Sequence, residues 1–210
     1  MTLAPKSTLD ITPAPRRLTG ADLPHATVEL ARALIGKTLV RDHPDGRLSV
    51  RLVETEAYPV GDAAGHAFIG RTRRNASLFR AFGCAYVYLG YGVCWLLNIA
   101  SETDGVGAGV LLRAGEPIEG VSTMMRLRGR GRLTELTSGP GKLCQALGVD
   151  QRLDGTDFFG GGELWLGEAV RPAGEIGVSA RIGITKAAEA PLRFYERGNP
   201  FVSGPRRLSP

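Results

Sequence analysis

The stretch Val53-Glu54-Thr55-Glu56-Ala57-Tyr58 holds two carboxylates at alternate positions and a phenol at the next alternate position. On a regular strand these three side chains share a face. Two carboxylates beside an aromatic suit hydrolysis of a glycosidic bond, in which an ionised carboxylate takes the proton from an attacking water. Taken alone, the segment reads more simply as the solvated face of a polar strand. His66, after Gly65 in the following loop, reads by itself as a surface histidine. In Tyr86-Val87-Tyr88-Leu89-Gly90-Tyr91-Gly92, Tyr86 and Tyr88 share a strand face and the glycines permit a bend beside Tyr91. Aromatics interleaved with glycine form a base-stacking surface or fill a core, and Tyr86 fits the core. Asn98 sits in an apolar run where an unpaired amide is costly, so it needs a backbone or ligand partner. Arg113 ends an apolar strand and calls for a carboxylate or a phosphate.

These residues need a scaffold, and the hydrophobic pattern outlines one. Residues 1–20 carry Pro5, Pro13 and Pro15 and little periodicity, which predicts a flexible arm. A helix is expected over Pro24–Gly36, with Leu30, Leu34 and Ile35 at helical spacing. A short strand over Lys37–Arg41, turn formers at 42–46 and a longer strand over Arg47–Tyr58 predict a hairpin. Pro59–Arg74 is expected as a loop and Ala76–Phe82 as a short helix. Strands are expected over Ala85–Gly90, Val93–Ala100 and Val110–Ala114, helices over Glu119–Arg128 and Gly141–Leu147, and strands again over Glu163–Leu166 and Val178–Ile184. Hairpin signals outnumber β-α-β alternation. The expected fold is mixed α/β of the α+β type: one domain, 21–210, with a curved, mainly antiparallel sheet flanked by helices.

Composition excludes several classes. The chain has 210 residues, 43% hydrophobic and 22% charged, which fits one globular domain and not a disordered chain. Its 26 basic and 21 acidic residues leave a charge of +5. The only lysines are Lys6, Lys37, Lys142 and Lys186, so the surplus is mainly arginine, suited to bidentate phosphate or carboxylate recognition. A GC-rich genome explains the same bias. Cys84, Cys94 and Cys144 are odd in number and lack C-x-x-C spacing, against a disulfide framework or a structural zinc site. No H-E-x-x-H occurs, and His25, His43 and His66 lie in unrelated contexts, so neither a metal nor a cofactor is expected. The loop Ser138–Leu143 has Leu136 and Leu143 where a phosphate loop needs Gly and Ser or Thr. The apolar run Ala85–Ala100 is shorter than the ~18 to 20 residues of a membrane span. A soluble cytoplasmic protein, without membrane contact, is expected.

Taken in order, the segments LARALIG (30–36), RLVETEAY (51–58), His66, TRRNASLF (72–79), YVYLGYGVCWLLNI (86–99), VLLRAGEP (110–117), SGPGKLCQAL (138–147) and PLRFYERG (191–198) resemble the alkyladenine (3-methyladenine) DNA glycosylase family of mammals and many bacteria. The resemblance runs from about residue 20 to residue 204. It implies a monofunctional enzyme, acting as a monomer on double-stranded DNA in the cytoplasm at the nucleoid. Such an enzyme flips an alkylated or deaminated purine from the duplex, hydrolyses its N-glycosidic bond and leaves an abasic site. It also implies roles. Glu56 deprotonates and orients the water, and Arg113 helps hold the water and the flipped nucleotide. Tyr58, His66 and Tyr88 line the base pocket, Asn98 crowds the amino group of guanine, and Tyr91 fills the gap in the duplex. The basic residues Arg71, Arg73, Arg74, Arg128, Arg130 and Lys142 become candidate phosphate contacts.

Some features depart from the family pattern. The Tyr58 to His66 spacing is one residue shorter than in mammalian members, and Gly65 replaces a bulkier residue, which predicts a loosely held His66. Arg73 stands where Pro is common. Arg126, Arg128, Arg130 and Arg132, interleaved with Gly129 and Gly131, read as a mobile phosphate-binding loop or as a solvated one. The role of Glu54 stays open; on a regular strand it needs its own partner, such as an arginine. A catalytically silent nucleic-acid-binding module and a metal-dependent hydrolase remain as alternatives, the first opposed by Glu56, Arg113 and Asn98, the second by the scarcity of ligands.

Overall fold

The computed structural model describes residues 15–90, 92–205 and 209. Helix α1 (Thr27–Ala33) precedes the hairpin of β1 (Thr38–His43) and β2 (Gly46–Tyr58). A second hairpin, β3 (Ala85–Gly90) and β4 (Cys94–Ala100), leads into the long β5 (Gly109–Glu119). Helices α2 (Val121–Arg128) and α3 (Pro140–Ala146) follow, then β6 (Leu164–Gly167), β7 (Ile176–Ser179) and β8 (Arg193–Glu196). The sheet order is β3-β4-β5-β2-β1-β6, every neighbouring pair antiparallel, with β8 added to β2 and β7 to β8. This is the expected α+β class with a curved antiparallel sheet.

β2 is the spine. Its lower half pairs with β1 and its upper half with β8 along one edge, while β5 runs along the other. Pairing with β5 is not regular. Leu52 faces Gly115 and Glu54 faces Ala114, but Thr55 faces Leu112, so Val53 and Arg113 are each left without an opposite. Such bulges change which residues face the core. Leu48, Val50 and Leu52 lie in the main core, and beyond the bulge Ala57 does, while the Thr55 hydroxyl bonds Ala31 O of α1. The core parity of β2 therefore switches from even to odd. On β5 even parity is likewise lost past Arg113. Val110 and Leu112 lie in the core, whereas Ala114 joins Val53 and Phe201 in a small cluster on the other face.

Two glycines let elements approach closely. Gly120 has φ +76°, and a Cβ there would lie 2.4 Å from Leu48 Cδ2 and 2.6 Å from Arg47 O, so the chain turns from β5 into α2 tightly against β2. A Cβ at Gly141 would lie 2.7 Å from Cys94 Sγ, so α3 starts directly against β4.

Several expectations need correction. β5 runs to Glu119, so Glu119 is strand and not helix, and Arg113 lies mid-strand rather than at an end. The strand expected over Val178–Ile184 is Ile176–Ser179, and residues 180–184 leave the sheet. Ala76–Phe79 forms one 3-10 turn rather than a helix to Phe82. β8 was not anticipated as a strand. Arg126 and Arg128 belong to α2, and Arg126 pairs with Asp45, so only Arg130 and Arg132 of that series lie in a loop. Most of the segment expected to be an arm lies outside the described residues. Within 15–20, Arg17 bridges Gly167, and Leu18 N–H donates to Leu166 O with its side chain buried.

Candidate active site

The bulge sends Glu54 and Glu56 to the face opposite α1, and both are fully buried. Each has different partners. Glu56 Oε2 accepts from the Tyr58 hydroxyl at 3.0 Å and lies 3.1 Å from Arg113 Nη1; Glu56 Oε1 accepts from Ile182 N–H at 2.7 Å. Glu54 Oε1 takes Arg113 Nε at 2.8 Å, Arg193 Nε at 2.7 Å and the Ser203 hydroxyl at 2.9 Å, while its Oε2 takes Ser203 N–H at 2.7 Å. Arg113 is thus shared between the two carboxylates. Burial opposes its charge, but the charges of Glu56 and Glu54 outweigh this and raise its pKa. Burial, then the Glu56 carboxylate, push the Tyr58 phenol far above its ordinary range, so it stays a donor at any working pH.

Over this floor lies a cavity of about 960 Å³, within the size range of ligand sites. Tyr58, Arg113 and Ile182, the partners of Glu56, all line it. A cross-strand row builds the wall: Tyr86 faces Asn98, Asn98 faces Leu111, and Leu111 faces Glu56. Tyr88, two residues beyond Tyr86, stacks on it at 5.1 Å. Asn98 Nδ2 donates to Tyr86 O at 3.3 Å, the backbone partner it required, and the residue still lines the cavity. The Tyr58 ring carries the Arg181 guanidinium 4.6 Å from its centroid; Arg181 also donates to Ala57 O and forms an ion pair with Asp62.

His66 is held firmly, against the expectation from Gly65. Its Nδ1 shares a hydrogen bond with the Tyr86 hydroxyl at 2.9 Å, and its ring meets Tyr88 edge-on at 4.4 Å. Its carbonyl accepts from Asn75 Nδ2 at 2.8 Å, and the same amide bonds Gly70 O at 3.0 Å. Buried Asn75 therefore ties the loop shut from within. Partial burial, then the charge of Arg74, lower the His66 pKa, so the imidazole is neutral at pH 7. Burial raises the Tyr86 phenol to about 12.

The basic candidates divide. Arg74, Arg128 and Lys142 line the cavity, where Arg74 donates to Leu89 O at 3.2 Å and Arg128 bonds Gln145. Arg71, Arg73 and Arg130 are exposed outside it. Lys186, which the motifs did not single out, lines the cavity too. Tyr91 lies outside the described residues; its neighbours Leu89 and Val93 are exposed apolar side chains at the β3–β4 turn. Among the described residues no group of His, Cys, Asp or Glu could hold a metal ion, and no helix is long and apolar enough to cross a membrane.

The family model for methylpurine-DNA glycosylase (MPG) matches residues 21–200. The chain belongs to the methylpurine-DNA glycosylase family. Relatives span nearly their whole lengths. A Mesorhizobium japonicum protein named "putative 3-methyladenine DNA glycosylase" is 57% identical over 188 residues, covering 90% of each chain. Proteins with the same printed name from Paraburkholderia phytofirmans and Methanocella arvoryzae are 51% and 49% identical, covering 89% and 84% of this chain and 88% and 90% of theirs. This methylpurine-DNA glycosylase family is one of hydrolytic glycosylases. Within its fold the structure brings Arg113, Tyr58, His66, Tyr88 and Asn98 to one cavity, with Glu56 bonded to Tyr58 and Arg113 behind its lining. Motif spacing did not single out Ile182, Arg181, Arg193, Ser203 or Asn75. The available signals were Asn75 within the TRRNASLF segment and Arg193 within the PLRFYERG segment.

Proposed function

We propose that this member of the family removes alkylated or deaminated purines of the 3-methyladenine, 7-methylguanine, hypoxanthine and ethenoadenine class from double-stranded DNA, as a monomer, and leaves an abasic site without cutting the strand. The observation that carries this is the cluster of buried Glu56 and Arg113 with Tyr58, beneath a cavity of about 960 Å³ lined in part by aromatic side chains. A base inside a duplex hides its anomeric carbon, so the nucleotide must leave the stack at a cost of a few kcal/mol. Tyr91, which follows β3 in the chain, fills the vacated space and offsets part of that cost. Tyr58, Tyr88 and His66 then enclose the purine, and Asn98 rejects guanine through its exocyclic amino group. Arg74, Arg128 and Lys142 at the cavity, with Arg71, Arg73 and Arg130 outside it, hold phosphates of the duplex.

Glu56 takes a proton from the water as its oxygen bonds C1′ and the C1′–N bond breaks, with the electron pair leaving on the purine. Ile182 N–H, the Tyr58 hydroxyl and Arg113 fix the carboxylate so that little reorganisation accompanies the step. Cationic 3-methyl and 7-methyl purines leave without protonation, and each tyrosine ring attracts them by about 0.5–2 kcal/mol. A neutral His66 adds no repulsion. Excision assays on duplex oligonucleotides, each with one defined lesion, test the reading. Wild type releases the damaged base and leaves an intact abasic strand; Glu56→Gln binds the same duplex and releases nothing. Full excision by Glu56→Gln would overturn the mechanism.

A further inference from the structure

The glycosylase mechanism uses Glu56 and Arg113 but leaves Glu54, Arg193 and Ser203 without a task. We propose that these three form a clamp that presents Arg113 to Glu56, which makes Glu54 and Arg193 positioning residues for the reaction. The inference rests on the proposed glycosylase reading. Arginine's guanidinium is planar and rigid, so fixing two of its nitrogens fixes the third. Arg113 Nε is held by Glu54 at 2.8 Å and its Nη2 by the Ser203 hydroxyl at 3.2 Å. The remaining Nη1 is thereby set 3.1 Å from Glu56 Oε2, on the cavity wall.

The clamp is itself anchored. Arg193 lies opposite Glu56 in the β2–β8 ladder and reaches along it to Glu54 at 2.7 Å. Its Nη1 donates to the Ser179 hydroxyl at 2.9 Å on β7, and its Nη2 donates to Ser203 O at 3.3 Å and Ser209 Oγ at 2.8 Å. The main chain of Ser203 closes the loop by donating to Glu54 Oε2 at 2.7 Å. Charge explains why a second arginine is present. With Arg113 as the only cation between two buried carboxylates, one negative charge would stay uncompensated at high cost. Arg193 supplies the missing charge on the Glu54 side and leaves Arg113 to serve Glu56. A purely structural ion cluster would stabilise the fold; the clamp must also set the rate of the chemical step.

The test compares wild type, Glu54→Gln and Ser203→Ala as full chains. Three measurements are made: melting temperature, single-turnover excision of 7-methylguanine and hypoxanthine from duplex oligonucleotides, and affinity for a duplex holding a tetrahydrofuran abasic analogue. In folded Glu54→Gln, excision under saturating enzyme falls about tenfold to a hundredfold, because an ångström of misplacement costs that much. Affinity for the abasic duplex stays within about twofold, and Glu54→Gln adds nothing further in an Arg113→Ala background, as residues acting through one group behave. If Glu54→Gln does not fold, Ser203→Ala decides. It removes one hydroxyl from the clamp, and excision slows several-fold at unchanged abasic affinity. Wild-type excision rates in a folded Glu54→Gln, or in Ser203→Ala when that variant decides, overturn the clamp and leave the glycosylase reading standing. A wild-type protein that excises neither base, nor 3-methyladenine or ethenoadenine in the same assay, overturns both.

Discussion

At the scale of single residues, the two glutamates divide their work by partner and not by type. Glu54 is saturated by two arginines and a serine, whereas the partners of Glu56 are the groups that wall the cavity. The Tyr58 hydroxyl is the simplest of these to remove. Tyr58→Phe keeps the ring and deletes one hydrogen bond to a charged acceptor, an interaction of about 1.5–3 kcal/mol. Excision is expected to drop about tenfold to a hundredfold with abasic-duplex affinity unchanged, and single-turnover kinetics read the split. His66 carries a pH dependence. Its folded pKa lies below the ordinary imidazole value because of burial and Arg74, so the native state binds fewer protons than the unfolded chain in that window. Its contribution is present above about pH 6.5 and is lost as pH falls through the folded pKa. The protonated ring then stands beside a cationic purine. Excision of 7-methylguanine should fall on the acid side of about pH 6.5, more steeply than that of hypoxanthine, and His66→Gln should flatten the difference. Identical acid limbs for the two lesions in wild type would refute the assignment.

At the scale of elements, the decisive feature is the paired irregularity of β2 and β5. Strand alternation alone would put Leu48, Val50, Leu52, Glu54, Glu56 and Tyr58 on one face. The extra residues at Val53 and Arg113 turn the two glutamates away from the leucines. Deleting Val53 would return both carboxylates to the apolar core, where unpaired charges are not tolerated. Loss of cooperative folding is expected, read by circular dichroism and thermal melting; a Val53-deleted protein that melts like wild type and still excises would refute this role of the bulge. The hairpins, the helix after Pro24 and the β3–β4 pair were legible because turn residues and apolar periodicity are local signals. The extension of β5 beyond Ala114 was not, since Gly115 and Pro117 read as a stop, although Glu116 and Pro117 still pair with β2. β8 escaped notice because its four residues carry no alternation and take their place only through pairing with β2.

At the scale of the whole molecule, the net charge of +5 acquires a location. Arg113 and Arg193 are neutralised inside, and Arg126 and Arg132 pair on the surface with Asp45 and Glu135. Arg74, Arg128 and Lys142 at the cavity, and Arg71, Arg73 and Arg130 on the surface outside it, remain as candidate phosphate contacts. If all six engage phosphates, log affinity for undamaged duplex should fall with log salt at a slope of about −5, and each neutralising substitution should reduce the slope by about 1. Fluorescence anisotropy across a salt series measures it, and an affinity insensitive to salt would return the surplus to a bias of composition.

From the sequence came the α+β class, read from hairpin signals, and the family resemblance that implied glycosylase chemistry and grouped Glu56, Tyr58, His66, Tyr88, Asn98 and Arg113 in one set, because motif order and residue type are written locally. Tertiary structure alone decided which glutamate meets the cavity wall and which is clamped. Glu54 and Glu56 are equivalent under strand alternation, and the difference between them arises where a bulge, a strand more than 130 residues downstream and the segment at Ser203 converge on one of the two. Contacts between segments so far apart in the chain leave no periodic trace for a sequence to show.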